Sequence, residues 1–173
     1  VVGPENTLGR PVASIVRAAV EAGFTCVQVR SKVASARELI ALTDEAATAI
    51  AAAGRSEQVA LVVDDRLDVV LAAREQGIKV DGVHVGQSDI PPAVCRTYLG
   101  PDAVVGLSAP TGELIDYVRV TDVQDIDYFG AGPLHATATK PDCGLNAEGQ
   151  FLTRSFSELK QLAGCSPIPI VVG

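Results

Sequence analysis

The stretch VALVVDDRLDVVLAAREQ, residues 59–76, joins a strand pattern directly to a helix pattern. Its first part is a short apolar run that stops at Asp64 and Asp65, which is typical of a buried strand. From Leu67 onward the composition favours a helix. The stretch therefore predicts one β/α unit, with two carboxylates where the strand ends.

The same unit recurs along the chain. Short Val-rich segments predict seven strands, at residues 1–3, 25–30, 59–64, 82–85, 103–107, 126–129 and 168–172. Helical patterns lie between them, at residues 11–23, 35–54, 67–76, 91–99, 113–119 and 155–163. The second helix opens with SARE, residues 35–38, which fits a capping box. This alternation predicts parallel strands that are joined by crossover helices.

Seven such units suit either a doubly wound sheet or a (β/α)₈ barrel of roughly 250 residues. No GxGxxG motif follows the first strand, which favours the barrel. We therefore predict a single (β/α)₈ TIM-barrel domain over residues 1–173 that lacks its C-terminal unit. Because the chain opens on Val1 and contains no Met, we also expect its natural N-terminus to be missing.

Composition excludes several classes of protein. The net charge of −7 argues against a nucleic-acid surface, since a polyphosphate backbone requires a basic face. The longest apolar runs are far shorter than the ~20 residues of a membrane-spanning helix, and no charged-then-apolar leader opens the chain. We expect a cytoplasmic protein without membrane contact. The four cysteines lie far apart without a CxxC pair, which predicts free thiols: Cys26, Cys95, Cys143 and Cys165.

Polar side chains follow at least five of the predicted strands. In a parallel barrel the carboxyl ends of the strands form the ligand face. Cations and hydroxyls that suit phosphate oxygens stand there, namely Arg30, Lys32, Ser108, Thr137, Thr139 and Lys140. Carboxylates that suit a hard metal follow two of the same strands, namely Asp64, Asp65 and Asp89. Mg²⁺ is commonly held by one or two carboxylates together with substrate phosphates, so the pattern predicts a magnesium–pyrophosphate site.

Structural explanations for the same residues stay open. Asp64 or Asp65 suits the N-cap of the following helix. A strand histidine such as His84 is more often a hydrogen-bonded core residue than a base, and His135 suits a loop residue as well as a base.

Five motifs in this order resemble those of thiamine-phosphate synthase, a (β/α)₈ barrel enzyme. They are VQVRSK at residues 27–32, DDRLD at 64–68, DGVHVGQSD at 81–89, GLS at 106–108 and GPLHATATKPD at 132–142. The resemblance covers nearly the whole chain. It implies a transferase of thiamine biosynthesis that joins hydroxymethylpyrimidine diphosphate to thiazole phosphate, giving thiamine phosphate and pyrophosphate. The route that it implies is dissociative, through a pyrimidine carbocation, with Mg²⁺ as cofactor.

The resemblance also implies roles for individual residues. Arg30, Lys32 and Lys140 would hold the diphosphate, and Asp65 and Asp89 would bind Mg²⁺. Gln28 would contact the pyrimidine, while Ser108, Thr137 and Thr139 would line the site between the two substrates. The residues expected to act in catalysis are Arg30, Ser108 and Lys140.

Two departures from the family pattern bear on these roles. The family usually has Asn-Asp-Arg after the third strand, whereas this chain has Asp64 before Asp65, which puts a second negative charge near the diphosphate and leaves metal use in question. The family's thiazole-phosphate cradle comes from glycine-rich turns, and Gly173 is the residue of that region present here.

Two other functions stay open. A thiazole tautomerase-like relative would depend on a base such as His135, and a non-catalytic protein would only bind a thiamine precursor. The pyrimidine diphosphate and the thiazole phosphate that the resemblance implies as substrates are both small molecules. Self-association into a homo-oligomer stays open, as does fusion to a pyrimidine kinase domain.

Overall fold

The computed structural model describes residues 1–110, 112–135 and 152–172. Within them the chain has an α/β fold with six strands in sequence order. The strands are β1 Cys26–Val29, β2 Ala60–Asp64, β3 Gly82–Val85, β4 Val104–Ser108, β5 Tyr128–Ala131 and β6 Ile170–Val172. The helices are α1 Val12–Glu21, α2 Ala36–Ala52, α3 Leu67–Glu75, α4 Pro92–Leu99, α5 Leu114–Val120 and α6 Phe156–Cys165, preceded by a 3-10 turn at Pro4–Asn6. These elements confirm the α/β class and all six predicted helices.

The prediction of a strand at residues 1–3 is wrong. Val2 makes a single parallel bridge to Val29, and the chain then enters the 3-10 turn. Pro4 has no N–H to donate to a strand ladder. The N–H of Gly3 donates instead to Oδ1 of Asn6, 2.9 Å away, which closes the turn. The other six predicted strands are confirmed, with shifts of up to two residues at their ends.

The chain divides into two compact units. The first comprises Val1–His84 and Val94–Val104, and the second comprises Val85–Ala93 with the described residues from Val105 onward. In the first unit β1 pairs with β2 and β2 with β3, all parallel. Helix α2 packs against α1 and α3, and the core contains Leu39, Ile50, Leu61 and Val63.

The second unit repeats the same construction. Strand β5 pairs in parallel with both β4 and β6, and α5 packs against α6. Phe129 and Leu162 are fully buried there. Tyr117 of α5 meets Phe129 edge to face, with the ring centroids 6.3 Å apart.

An aspartate closes the amino-terminal end of a strand pair in each unit. In the first unit Oδ2 of Asp81 accepts the N–H of Leu61 at 2.7 Å, and the Asp81 N–H donates back to the Leu61 carbonyl at 2.8 Å. In the second unit Asp127 does the same with Val105, at 2.6 and 2.8 Å. We call these pairs the aspartate clamps. They lie at the opposite strand ends from the residues expected to bind substrate.

Two further findings concern the whole described chain. No helix in the part that the structure describes is long and apolar enough to cross a bilayer. In the described part of the chain Cys26, Cys95 and Cys165 form no disulfide, as predicted, while Cys143 lies outside the described residues.

Candidate active site

Arg30 follows β1 directly and is the buried cation of the first unit. Its residue surface is 9% exposed, and its N–H donates to the Val2 carbonyl at 2.9 Å. Nε and one terminal nitrogen of the guanidinium are buried without a hydrogen-bond partner among the described residues. Buried polar groups are normally paired, and a guanidinium presents a planar fork that matches carboxylate or phosphate oxygens. Arg30 is therefore placed to bind an anion.

The carboxylate nearest to Arg30 belongs to Asp65, which follows β2. Its Oδ2 lies 3.7 Å from Nε of Arg30, too far for a hydrogen bond but close enough for an ion pair. The backbone of Asp65 has φ = 67°, in the left-handed region, and its N–H donates to the His84 carbonyl at 2.8 Å. Aspartate tolerates this conformation better than most residues. The ends of β1 and β2 thus bring Arg30 and Asp65 together, while their roles in binding stay predictions.

Asp64 and His84 are buried partners across the β2–β3 ladder. Each is 5% exposed, and their Cα atoms are in register. The interpretation of His84 as a buried strand residue is confirmed. Asp64 and Asp65 thus place two acidic residues in succession where β2 ends.

The idea that Asp64 or Asp65 caps α3 is wrong. The N-cap residue is Arg66, and no side chain caps the helix. Arg66 turns instead to Asp68 on the first helical turn and binds it through two hydrogen bonds of 2.8 and 2.6 Å. This contact raises the pKa of the Arg66 guanidinium and lowers the pKa of the Asp68 carboxyl.

Gln28 and Lys32 lie on either side of Arg30 in the first unit. Gln28 is half-buried in β1 between the buried Val27 and Val29. Lys32 is exposed in the loop that follows, and its backbone N–H donates to the Glu5 carboxylate at 3.0 Å.

The second unit contains Asp89 and Ser108. Oδ2 of Asp89 accepts the N–H of Gly86 at 2.7 Å, which closes the turn after β3. Ser108 ends β4 and is half-buried. The Ser108 carbonyl accepts a hydrogen bond from Nε2 of Gln87 at 2.7 Å, and the same nitrogen lies 2.9 Å from the Tyr117 hydroxyl. Gln87 thus fixes the end of β4 within this unit.

Several predicted residues lie outside the described part of the chain: Thr137, Thr139, Lys140 and Gly173. Their roles stay predictions. His135 is described, and it is exposed.

Sequence reasoning missed Glu5 and Gln87. The string VGQSD includes Gln87, so its position after β3 was visible, but nothing in the sequence pairs it with Ser108. No local signal marks Glu5, because its partners are 26 and 27 residues away along the chain.

The donor atoms suit a hard cation that is bound together with phosphate. No group of three or more His, Cys, Asp or Glu side chains stands together in residues 1–110, 112–135 and 152–172. Mg²⁺ does not require one, because it is usually held by one or two carboxylates plus water and phosphate oxygens. Asp65 supplies such a carboxylate beside the buried guanidinium of Arg30, so the chemistry of the site fits Mg²⁺ with a diphosphate.

Comparison with known proteins gives concordant results. The family model described as thiamine monophosphate synthase matches residues 1–172. Thiamine-phosphate synthase of Corynebacterium efficiens is 42% identical over 87% of this chain and 67% of its own length. The enzyme of the same name from Moorella thermoacetica is 37% identical over 94% of this chain and 69% of its own length. The chain thus spans about two thirds of the length of these relatives.

A solved structure agrees with these sequence matches. Thiamine phosphate pyrophosphorylase from Pyrococcus furiosus superposes with a TM-score of 0.64 at 27% identity, over 94% of this chain and 68% of that one. A match over residues 1–172 and relatives well above 30% identity agree with the motifs on which the sequence resemblance depended. The chain therefore belongs to the thiamine monophosphate synthase family, whose synthases are transferases.

Proposed function

We propose that this chain carries the substrate site of a thiamine-phosphate synthase, which joins hydroxymethylpyrimidine diphosphate to thiazole phosphate with release of pyrophosphate. The observation that carries the proposal is the buried guanidinium of Arg30, two of whose nitrogens have no hydrogen-bond partner among the described residues. Leaving a buried donor unsatisfied costs ~1–3 kcal/mol, and more for a charged group. Two oxygens of the diphosphate would satisfy both nitrogens, because phosphate accepts the guanidinium fork in a bidentate manner.

The remaining roles follow the family motifs. Lys32 and Lys140 join Arg30 in holding the diphosphate, and Gln28 contacts the pyrimidine ring. Ser108, Thr137 and Thr139 line the site, and Gly173 belongs to the cradle of the thiazole phosphate. The burial of three described members of this set supports these roles, since Arg30 is buried and Gln28 and Ser108 are half-buried.

Asp65 and Asp89 are the proposed ligands of Mg²⁺. When bound, the cation would neutralise charge on the departing pyrophosphate. Asp64 stands where the family has Asn, and we propose that its charge changes how much Mg²⁺ the diphosphate site requires. Its burial supports this, because a buried carboxylate acts on a neighbouring charge through a low dielectric.

The protein would act by binding and charge stabilisation. In a dissociative route the bond between the pyrimidine methylene carbon and the diphosphate oxygen breaks, and its electron pair leaves with pyrophosphate. The lone pair of the thiazole nitrogen then forms the new carbon–nitrogen bond. No side chain has to supply a nucleophile. Arg30 would hold the oxygens on which negative charge develops, and such preorganised donors often make the largest contribution to catalysis.

We propose the complete fold to be the (β/α)₈ barrel expected from the sequence. The support is that strand pairing is parallel and follows chain order within each of the two units. The tautomerase-like alternative gains no support, since His135 is exposed.

The test is an activity assay of the synthase that carries this chain. Both substrates are supplied with Mg²⁺ or with excess chelator, and thiamine phosphate and pyrophosphate are measured. We expect turnover with Mg²⁺ and none with chelator. Arg30→Ala should lower kcat/KM at least tenfold, or about 1.4 kcal/mol, through loss of a charge-assisted contact. Arg17→Ala, an exposed arginine on α1, is the matched control.

The metal ligands are tested by titration. Asp89→Asn should raise the Mg²⁺ concentration for half-maximal activity, and Asp64→Asn should shift that concentration toward the usual family pattern. Full activity in excess chelator would refute the metal assignment, and an unchanged titration in Asp64→Asn would show that its charge has no effect.

A further inference from the structure

We propose that Glu5 is a positioning residue for substrate binding, because its carboxylate fixes the loop between β1 and α2 that carries Lys32. We call residues 31–34 the β1 loop. The inference rests on the proposed function, in which Arg30 and Lys32 hold the diphosphate. Glu5 itself is not expected to touch substrate.

Two donors of the β1 loop converge on one oxygen of Glu5. Oε1 accepts the hydroxyl hydrogen of Ser31 at 2.6 Å and the backbone N–H of Lys32 at 3.0 Å. Both bonds are to a carboxylate, so they are stronger than bonds between neutral groups. They join the N-terminal segment to residues more than 25 positions later in the chain.

Ser31 passes this constraint to the rest of the loop. Its hydroxyl oxygen accepts the N–H groups of Val33 at 3.3 Å and Ala34 at 3.0 Å. The hydroxyl thus donates to Glu5 while it accepts from two backbone groups. Ser35, the next residue, is the N-cap of α2, so the loop is held at its end as well as at its centre.

Glu5 is itself held at a fixed position relative to β1. It lies in the 3-10 turn, and the preceding Val2 is bonded to β1 on both sides: its N–H donates to the Gln28 carbonyl at 2.7 Å, and its carbonyl accepts from Arg30 at 2.9 Å. Gly3 packs so closely that an added Cβ would stand 1.8 Å from the Arg30 carbonyl oxygen. The Glu5 carboxylate and the Arg30 backbone therefore belong to one rigid segment.

The ionised form of Glu5 is the form that the loop stabilises. Burial raises the pKa of the carboxyl, but hydrogen bonds from Ser31 and from backbone groups including Lys32 outweigh it, and the net pKa is lowered. Near neutral pH the residue is a carboxylate. A carboxylate close to an anion-binding loop would repel the diphosphate, so its favourable contribution must come from the order that it imposes on the loop.

The experiment separates substrate positioning from stability. In the synthase that carries this chain, Glu5→Ala should raise KM for the pyrimidine diphosphate about tenfold, because Lys32 must then be ordered by the substrate itself. KM for thiazole phosphate should stay within about twofold of the unsubstituted value. Glu5→Gln keeps an acceptor oxygen and should restore most of the affinity. Glu21→Ala, an exposed glutamate at the end of α1, is the matched control.

Ser31→Ala keeps the test valid if Glu5→Ala folds poorly. It should raise KM for the same substrate, and the double variant should be less impaired than the product of the single effects, because both act through one contact. Turnover with an unchanged diphosphate KM in both single variants would overturn the inference alone. An equal loss of affinity for both substrates would also overturn it, and absence of turnover by the unsubstituted enzyme would overturn the proposed function beneath it.

Discussion

At the scale of single residues, Asp65 combines a backbone constraint with the proposed role of a Mg²⁺ ligand. Its φ of 67° lies where a side chain with Cβ is disfavoured, and its N–H donates to the His84 carbonyl. Strained conformations of this kind persist where the surrounding structure determines them, and they concentrate at functional sites. The same turn brings the carboxylate close to Arg30.

Substitutions at Asp65 should therefore separate stability from function. We expect Asp65→Ala to lower the free energy of unfolding by about 1 kcal/mol, because alanine adopts the left-handed region less readily. Asp65→Asn should be nearly neutral for stability, and Asp65→Gly should be neutral or stabilising. All three should raise the Mg²⁺ requirement of the synthase. Urea unfolding followed by circular dichroism gives the first quantity, and a magnesium titration of activity gives the second. Equal stabilities for the alanine and glycine variants would contradict the strain argument.

Gly82 is a second residue whose identity follows from geometry. A Cβ at this position would stand 1.7 Å from the Val104 carbonyl oxygen, which is backbone and cannot yield easily. We expect Gly82→Ala to destabilise the protein by about 2 kcal/mol or more, as overpacking does in well-packed cores. Gly164→Ala is the control, since nothing lies within 4 Å of its Cβ position and alanine favours the helix. Thermal unfolding of both variants measures the difference; a Tm for Gly82→Ala equal to that of the unsubstituted protein would refute the close approach.

How far single residues of the site could be predicted depends on how local their signals are. Strand ends are visible in a sequence, so Arg30 and Asp65 could be named as candidates, and the structure places their side chains close together. Gly86, whose N–H donates to the Asp89 carboxylate, is only three residues away, but no sequence motif indicates this hydrogen bond. The contacts of Glu5 depend on the tertiary fold, and no spacing rule predicts them.

At the scale of elements, the starts of helices could be predicted from the sequence, whereas the pairing of strands could be predicted only in part. SARE forms the predicted capping box, with Ser35 accepting from Glu38 and Glu38 accepting from Ser35. The start of α6 was placed correctly at Ser155, which forms an equivalent box with Glu158. Capping depends on residues three apart, whereas a strand needs a partner from elsewhere in the chain. For that reason the apolar pattern of residues 1–3 did not reveal that Pro4 ends the pairing.

In the aspartate clamps a side-chain carboxylate replaces a backbone carbonyl as the acceptor at the end of a strand pair. Asp127→Ala should leave the Val105 N–H without its carboxylate acceptor and lower the free energy of unfolding by ~1–3 kcal/mol. Asp127→Asn keeps an acceptor oxygen and should cost less. Asp81→Ala should act similarly in the other unit, with an added loss from its ion pair to Lys79. Denaturant unfolding measures these costs; alanine and asparagine variants of equal stability would contradict the proposed hydrogen bond.

At the scale of the whole molecule, several carboxylates link stability to pH. Hydrogen bonds from Ser35, Arg66 and Ser155 lower the pKa values of Glu38, Asp68 and Glu158 respectively. A carboxyl whose pKa is lower in the folded state stabilises the fold above its unfolded pKa, here 4.5 for the glutamates and 3.8 for the aspartate. That contribution is lost as the pH falls through the folded value.

We therefore expect the free energy of unfolding to be flat near neutral pH and to fall between about pH 5 and pH 3. These side chains lie near the surface, so each contribution is small and added salt should reduce it. Glu158→Gln should make the decline with acid shallower. Urea titrations across this range, with and without salt, provide the measurement. A stability that rises toward pH 3 would contradict the sign of the effect.

The two aspartate clamps also give each unit its own spectroscopic label. The chain contains no tryptophan, so no indole signal follows its unfolding. The amide protons of Leu61 and Val105, however, each point at a carboxylate oxygen, one in each unit. Their rates of hydrogen exchange should report the opening of β2 and β4 respectively, because each amide lies near the amino-terminal end of its strand. If the two rates converge as denaturant is added, the units open as one cooperative structure; if they stay apart, each opens independently.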